Sequence, residues 1–432
     1  MKQVSKLFYF ILLAATACHS SDSGVSVSSD TGKIVKLTPP KPDVTLTLPS
    51  GFTATVFADG LGKARHIAIT PNGYIYVKLD GDRNGSTIVR LKDTDGDGIA
   101  DQEIDFGNFK GTGIGIKNGY LYASSNTEVF RFKLNDNGTV VNAAQPEKII
   151  TGLISRGEHE AKAFTLDNAG NIYVNIGAFS NSCQIEDRKT ASLGMKPCPV
   201  LDSAAGIWQF KTDKTNQGYG DGIRYATGLR NVVGIDWNTN TNSLFVMQHG
   251  RDQLHSIFPA MFTDKDNAEL PAECMYELHQ GSNAGWPYIY YDPMQGKKIL
   301  APEYGGDGKK TAGEDAIDPV VAFPAHLAPD GLLFYTGSQF PEKYKNGAFI
   351  AFHGSWNRAP EPQEGFYVAF VPFSNGKPSG KWEIFANGFS GGADKTASGG
   401  AIHRPCGLAQ GPDGSLYITD DNKGSIWKIT YK

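Results

Sequence analysis

Asn118-Gly119-Tyr120-Leu121-Tyr122-Ala123 joins a turn dipeptide to an alternating β-prone run, and the same arrangement recurs along the chain. Other copies are Asn72-Gly73-Tyr74-Ile75-Tyr76-Val77, Gly170-Asn171-Ile172-Tyr173-Val174, Asn242-Ser243-Leu244-Phe245-Val246, Asn346-Gly347-Ala348-Phe349-Ile350 and Asp413-Gly414-Ser415-Leu416-Tyr417-Ile418. Asn-Gly and Asp-Gly turns supply the left-handed backbone that tight hairpins need, and no helical period of comparable length competes with them. Between the aromatic positions Tyr76, Tyr122, Tyr173, Phe245, Phe349 and Tyr417 the intervals are 46, 51, 72, 104 and 68 residues. The first two match about 40–50 residues per four-stranded propeller blade, and the longer ones require insertions. Setting aside the first 42 residues leaves 390, or 65 for each of six blades. The pattern predicts an all-β, six-bladed β-propeller with long inter-strand loops; a pair of β-sandwiches is the competing arrangement. Propellers carry their binding groups in loops at one mouth of the channel, so the insertions are where a site is expected.

Composition agrees with a turn-rich body. The chain has 51 glycines in 432 residues, 20% charged residues and 40% hydrophobic ones, enough for a large core. A net charge of −4 leaves no basic field for nucleic acid or anionic lipid, so neither is an expected partner.

The N-terminus reads as an export signal. Lys2 and Lys6 precede an apolar run from Leu7 to Ala15, too short to span a bilayer, and Ala15-Thr16-Ala17-Cys18 follows. This is similar to a bacterial lipobox, with Ala15 where Leu is usual. The expectation is a signal peptide over residues 1–17, a lipidated Cys18, a Ser- and Pro-rich tether over 18–44, and the propeller over 45–432; a plain signal peptide is the alternative. The chain is then exported and lipid-anchored to a bacterial membrane, periplasmic or at the cell surface, touching the membrane only through the anchor. Four further cysteines in an oxidising compartment are expected to pair. Cys183 and Cys198 flank one short polar loop and form the expected disulfide; Cys274 with Cys406 follows by elimination.

Several segments carry candidate chemistry. Asp93, Asp95, Asp97 and Asp101 occupy positions 1, 3, 5 and 9 of a calcium-type loop with Gly98 as its sixth residue, and Ile104 stands where an EF-hand has Glu. The loop is read as a structural calcium site or as a solvated acidic turn. His159, in Gly157-Glu158-His159-Glu160, opens the third repeat and is either a packed residue or a general base. Arg230-Asn231, in Gly228-Leu229-Arg230-Asn231, opens the fourth. Gln248-His249-Gly250-Arg251-Asp252, Gly285-Trp286-Pro287, His353-Gly354-Ser355-Trp356-Asn357-Arg358 and His403-Arg404-Pro405-Cys406 follow. Gly111-Thr112-Gly113-Ile114-Gly115 lacks the third glycine and the helix of a dinucleotide fingerprint. Gly388-Phe389-Ser390-Gly391-Gly392 matches the letters of a nucleophile elbow without the helix it needs.

In this order the segments resemble the quinoprotein glucose and sorbosone dehydrogenases, six-bladed propellers that use pyrroloquinoline quinone (PQQ) and calcium. The resemblance runs from about Leu48 to Tyr431, and His353 to Arg358 with the Cys183–Cys198 loop points to the sorbosone branch. It implies His159 as the base for a sugar hydroxyl, Arg230 as the cation beside the quinone carbonyl, and Asn231 as a cofactor contact. It implies calcium on the backbone carbonyls of Gly250 and Arg251, the latter replacing a usual Pro. His353 takes the place of a cofactor-contacting Lys, and a family Arg pair is reduced to Arg404, with Arg65 and Arg358 as sources of the missing charge. The function so implied is oxidation of an aldose or related sugar, with electrons passed to an external acceptor. A non-catalytic carbohydrate- or protein-binding propeller is the alternative, and a metal-dependent hydrolase or lactonase a third reading.

Overall fold

The computed structural model describes residues 35–37, 40–392 and 397–432. The expected signal peptide and Cys18 lie outside them. Six sheets of four or five strands form the blades. Their innermost strands are Ala64–Ile69, Ile114–Lys117, Phe164–Leu166, Val232–Asn238, Pro329–Phe334 and Pro405–Gln410, which pack side by side in chain order until the sixth meets the first. Each repeat that marked the sequence is the turn and second strand of one blade: Tyr76 lies in Ile75–Arg83, Tyr122 in Tyr120–Ser124, and Tyr417 in Leu416–Asp420. The six-bladed propeller is therefore the fold, and the sandwich alternative is set aside.

Short inner strands let neighbouring backbones approach closely around the channel. A Cβ on Gly331 would lie 2.3 Å from the Cys406 carbonyl, and one on Gly407 would lie 2.5 Å from that of Arg65. Glycine is required there because any side chain would push adjacent blades apart. Away from the channel, large apolar residues fill the space between blades. Phe349, Phe370, Phe385, Phe389 and Trp427 join the fifth and sixth blades in one cluster, with Phe52 edge-on to Phe340 and Phe385. Each such buried side chain contributes about 1.5–3 kcal/mol relative to exposure.

The ring closes by sharing its last blade. Phe52–Ala58, the first long strand of the chain, is the outer strand beside Ile426–Tyr431, with Phe52 opposite Tyr431. Thr47 bridges Asn387 just before it, and Asp43 accepts from His403 Nε2 at 2.6 Å, so chain assigned to the tether up to 44 already packs on the sixth blade. Cys183 and Cys198 are joined by a disulfide. The expected Cys274–Cys406 pair does not form. Both thiols are free and buried, Cys274 in the third strand of blade four and Cys406 in the inner strand of blade six, with blade five between them. Among the described residues no helix is long and apolar enough to cross a membrane.

Antiparallel pairing sorts the loops onto two faces. Loops entering inner strands share one face with those joining second to third strands; the Asn-Gly turns lie on the other.

Candidate active site

The loops of the first face converge on a cavity of about 330 Å³ lined by His159, Arg230, His249, Asp252, His326 and Trp356, among others. That volume is at the small end of the range for ligand pockets. His159 precedes the inner strand of blade three and has a left-handed φ of 48°. Gly177 makes this possible. A Cβ there would lie 2.6 Å from His159 Cβ and 2.9 Å from Asn231 Oδ1. His159 Nδ1 is bonded to the Ala178 carbonyl, which places the proton on Nδ1 and leaves Nε2 as the acceptor. Burial, and then the charge of Arg230, push its pKa down to about 3, so the ring is neutral at ordinary pH.

Arg230 is 3% exposed, and four hydrogen bonds hold its guanidinium. It donates through Nε to Asn181 O at 3.1 Å, through Nη1 to Gly250 O at 2.8 Å, and through Nη2 to Asn181 Oδ1 at 3.0 Å and Asp252 Oδ2 at 2.7 Å. Asp252 also accepts from Asn357 Nδ2 at 2.8 Å and lies 3.6 Å from His326 Nδ1. Burial opposes its charge, but Arg230 and His326 hold its carboxyl well below the usual range. Asn181 ties these groups together: its Nδ2 donates to Asp252 O and its carbonyl accepts from Trp286 Nε1. Two insertions thus meet behind the guanidinium, the disulfide loop through Asn181 and the Gly285-Trp286-Pro287 turn through its indole.

A second cluster borders the first. Arg65 Nη1 lies 2.5 Å from Asp421 Oδ2 and 3.1 Å from Asp330 Oδ2, and His353 Nε2 lies 2.6 Å from Asp421 Oδ1. Asp330, Cys406 and Asp421 bring potential ligand atoms within 4.8 Å of one another, yet Arg65 already balances both carboxylates. Asp330 Oδ1 connects the clusters, 3.3 Å from His249 Nε2. Burial disfavours a charged His249, but Asp330 and Glu273 hold its pKa above the usual histidine value. Arg404 donates to the carbonyls of His353, at 3.1 Å, and Gly354, fixing the loop that carries His353.

His159, Arg230 and Gly250 thus share one cavity, with Arg65, His353 and Arg404 beside it. Asn231 is held by Asn175, whose Nδ2 donates to Asn231 Oδ1 at 3.1 Å. The Arg251 side chain turns away from the cavity to pair with buried Glu303. Arg358 does not supply the charge expected of it. It is buried outside the cavity, donating to Pro362 O at 3.0 Å and pairing with Glu269 at 3.1 Å and Glu364 at 3.4 Å. The Asp93–Asp101 loop joins the third and outer strands of blade one and so lies on the opposite face; Asp93, Asp95 and Asp97 approach as a potential ligand group there. Sequence reasoning assigned no role to Asn181, Asp252, His326, Asp330 or Asp421. Asp252 lies within a segment it singled out; Asn181 carries no motif and becomes visible only through the fold.

The donor set suits an anionic planar ligand such as PQQ. Arg65 Nε is buried without a hydrogen-bond partner, and Arg230, His249 and His353 stand close by. The Gly250 carbonyl has given one lone pair to Arg230 and keeps a second for a cation.

The channel mouth of this six-bladed propeller thus gathers a neutral histidine, buried arginines and paired carboxylates. The chain belongs to the TrAA12-like family, whose model matches residues 46–432. Over 208 residues it is 30% identical to an uncharacterized protein of Borreliella burgdorferi, covering 48% of each chain. Over 242 residues it is 26% identical to the pyrroloquinoline quinone-dependent pyranose dehydrogenase of Coprinopsis cinerea, covering 49% of this chain and 31% of that protein. The match therefore spans about half of the first relative and about a third of the second. Among solved structures, the holo PQQ domain of that pyranose dehydrogenase aligns with a TM-score of 0.72 at 19% identity, over 90% of this chain and 98% of its own. The calcium structure of the Trichoderma reesei family AA12 enzyme aligns with a TM-score of 0.72 at 18% identity, over 91% and 99%.

Proposed function

We propose that the chain is a PQQ-dependent sugar dehydrogenase, oxidising an aldose or related pyranose and passing electrons to an external acceptor. The observation that carries this reading is His159: a neutral imidazole with Nδ1 committed to a backbone carbonyl, its Nε2 an acceptor beside a buried arginine. Bound PQQ supplies an acceptor for the hydride. His159 takes the hydroxyl proton at Nε2, and Arg230, fixed by Asn181 and Asp252, presents positive charge where negative charge develops. Arg65, His353, Arg404 and Asn231 are the groups to hold the cofactor, and the Gly250 and Arg251 carbonyls the calcium that goes with it. The family membership and the pyranose dehydrogenase relative support the reading. The Asp93, Asp95, Asp97 and Asp101 loop is proposed as a separate structural calcium site. Export with a lipid on Cys18 completes the proposal, and Cys18→Ser should move the chain from the membrane to the soluble fraction.

The test is titration of the apoprotein with PQQ and calcium, followed by sugar-dependent dye reduction in wild type and His159→Ala. Both should take up quinone, and the variant should lose turnover by roughly 10²–10⁴-fold. Absence of quinone uptake by the wild type overturns the assignment.

A further inference from the structure

Trp356 is 56% exposed, whereas the other five tryptophans are buried or half-buried. Its backbone is nevertheless tightly held. On one side Ser355, 2% exposed, donates to Gln363 Oε1 at 2.7 Å and, through its amide, to Glu364 O at 2.8 Å. On the other, Asn357 donates to Asp252 Oδ1 at 2.8 Å, and its carbonyl accepts from Asn267 Nδ2 at 3.3 Å. Among the described residues no ring, cation or hydrogen-bond partner engages the indole. An apolar ring on a loop pinned at both ends contributes little to the core, yet it lines the cavity that holds His159 and Arg230.

We propose that Trp356 is the stacking platform for the pyranose ring of the substrate and sets its affinity; this rests on the sugar dehydrogenase reading above. A pyranose has a flat C–H face that matches an aromatic surface and a rim of hydroxyls that needs polar partners. Trp356 offers the first. Glu158 and Arg188, lining the same cavity and part-exposed, offer the second. The assignment to sugar instead of cofactor follows from depth. The groups suited to an anionic cofactor, Arg65, Arg230 and His249, are buried or nearly so, while Trp356 stands at the solvent edge where a ligand enters and leaves on each turnover. Aromatic faces are used at such edges because they bury much area with few rotatable bonds.

The experiment uses the full chain loaded with PQQ and calcium, assayed with D-glucose, D-galactose and cellobiose, in wild type, Trp356→Ala and Trp356→Phe. The KM for the best of these sugars should rise about tenfold in Trp356→Ala and only two- to threefold, roughly, in Trp356→Phe, with kcat within about twofold of wild type. PQQ affinity, from equilibrium titration without sugar, should be unchanged in both. An unchanged KM in Trp356→Ala overturns the proposal, and so does a loss of PQQ affinity matching the rise in KM, which would make the indole a cofactor platform. Failure of the wild type to oxidise any of the three while still taking up PQQ overturns the sugar platform but leaves quinone binding standing. Failure to take up PQQ removes the dehydrogenase reading itself. Thermal melting of the two variants should match wild type, because the replaced ring is solvent-exposed.

Discussion

The Asp252 carboxylate lies 2.7 Å from Arg230 Nη2 and, through its other oxygen, accepts from Asn357 Nδ2 at 2.8 Å. One buried anion therefore sets the position of the active-site guanidinium and of the loop that follows Trp356. Asp252→Ala leaves Arg230 buried with only neutral acceptors, which costs about 3–5 kcal/mol of stability for a broken buried pair. Urea denaturation should show the lower midpoint, and turnover should fall with it. Asp252→Asn retains the shape and an acceptor oxygen and should lose less stability.

Neutral His159 couples stability to pH. Its folded pKa of about 3 lies below the ordinary value of 6.5, so as pH falls below 6.5 the unfolded chain gains a proton that the folded chain refuses. The contribution is fully present above pH 6.5 and is lost progressively toward pH 3. His159→Gln removes this penalty. Between pH 7 and pH 5, its stability relative to wild type should improve by about 2 kcal/mol. His403, raised by Asp420 and Asp43 against the effect of burial, works in the opposite sense: its contribution is present below 6.5 and is lost as pH rises through its folded pKa. The difference between variant and wild type, measured by denaturation at each pH, isolates the His159 effect.

Glu303 should be the most sensitive position outside the cavity. Its side chain is fully buried and accepts from Arg251 Nη1 and, at 2.9 Å, from Ser182 Oγ, while its main-chain carbonyl accepts from the Gly194 amide of the disulfide loop. Glu303→Ala strands the Arg251 guanidinium and should cost about 3–5 kcal/mol. Because Arg251 also holds the Asp252 carbonyl, the variant should bind calcium and PQQ more weakly even where it remains folded, as read by titration at low temperature.

The Asp93 loop makes a separable prediction. Asp93 already accepts from the amides of Gly96 at 2.7 Å and Gly98 at 2.9 Å, so the turn is formed with lone pairs remaining for an ion. Millimolar calcium should raise the melting temperature of wild type and have a smaller effect on Asp95→Ala. Equal shifts would mean that the loop is a solvated turn.

What the sequence disclosed about the fold and what it disclosed about the site lie at opposite ends of the molecule. The Asn-Gly turns that mark the blades, such as Asn118-Gly119, face away from the mouth, where local backbone chemistry alone dictates the residues. His159, Arg230 and Arg404 were legible because each stands just before an inner strand, a position fixed once the repeat is known. The partners of these residues were not. Asn181 reaches Arg230 across 49 residues, and Asp421 reaches Arg65 across 356. Such pairings depend on which blades adjoin. Arg358 was misread for the converse reason: a cation near a conspicuous motif proved to be committed to Glu269 and Glu364, which the motif does not contain.

The pairing of Phe52–Ala58 with Ile426–Tyr431 also sets the order of events during synthesis. The outer strand of the last blade is made ahead of all six inner strands, and its partner after them. For nearly the whole of translation that strand is an unpaired edge rich in apolar residues, open to pairing with another chain. The ring cannot close by local steps, and its completion waits on a contact between the two ends of the propeller. Loss of Ile426–Tyr431 would therefore strip the last blade of two strands at once, one by deletion and the other, Phe52–Ala58, by loss of its partner, and leave closure of the ring to the inner strands alone.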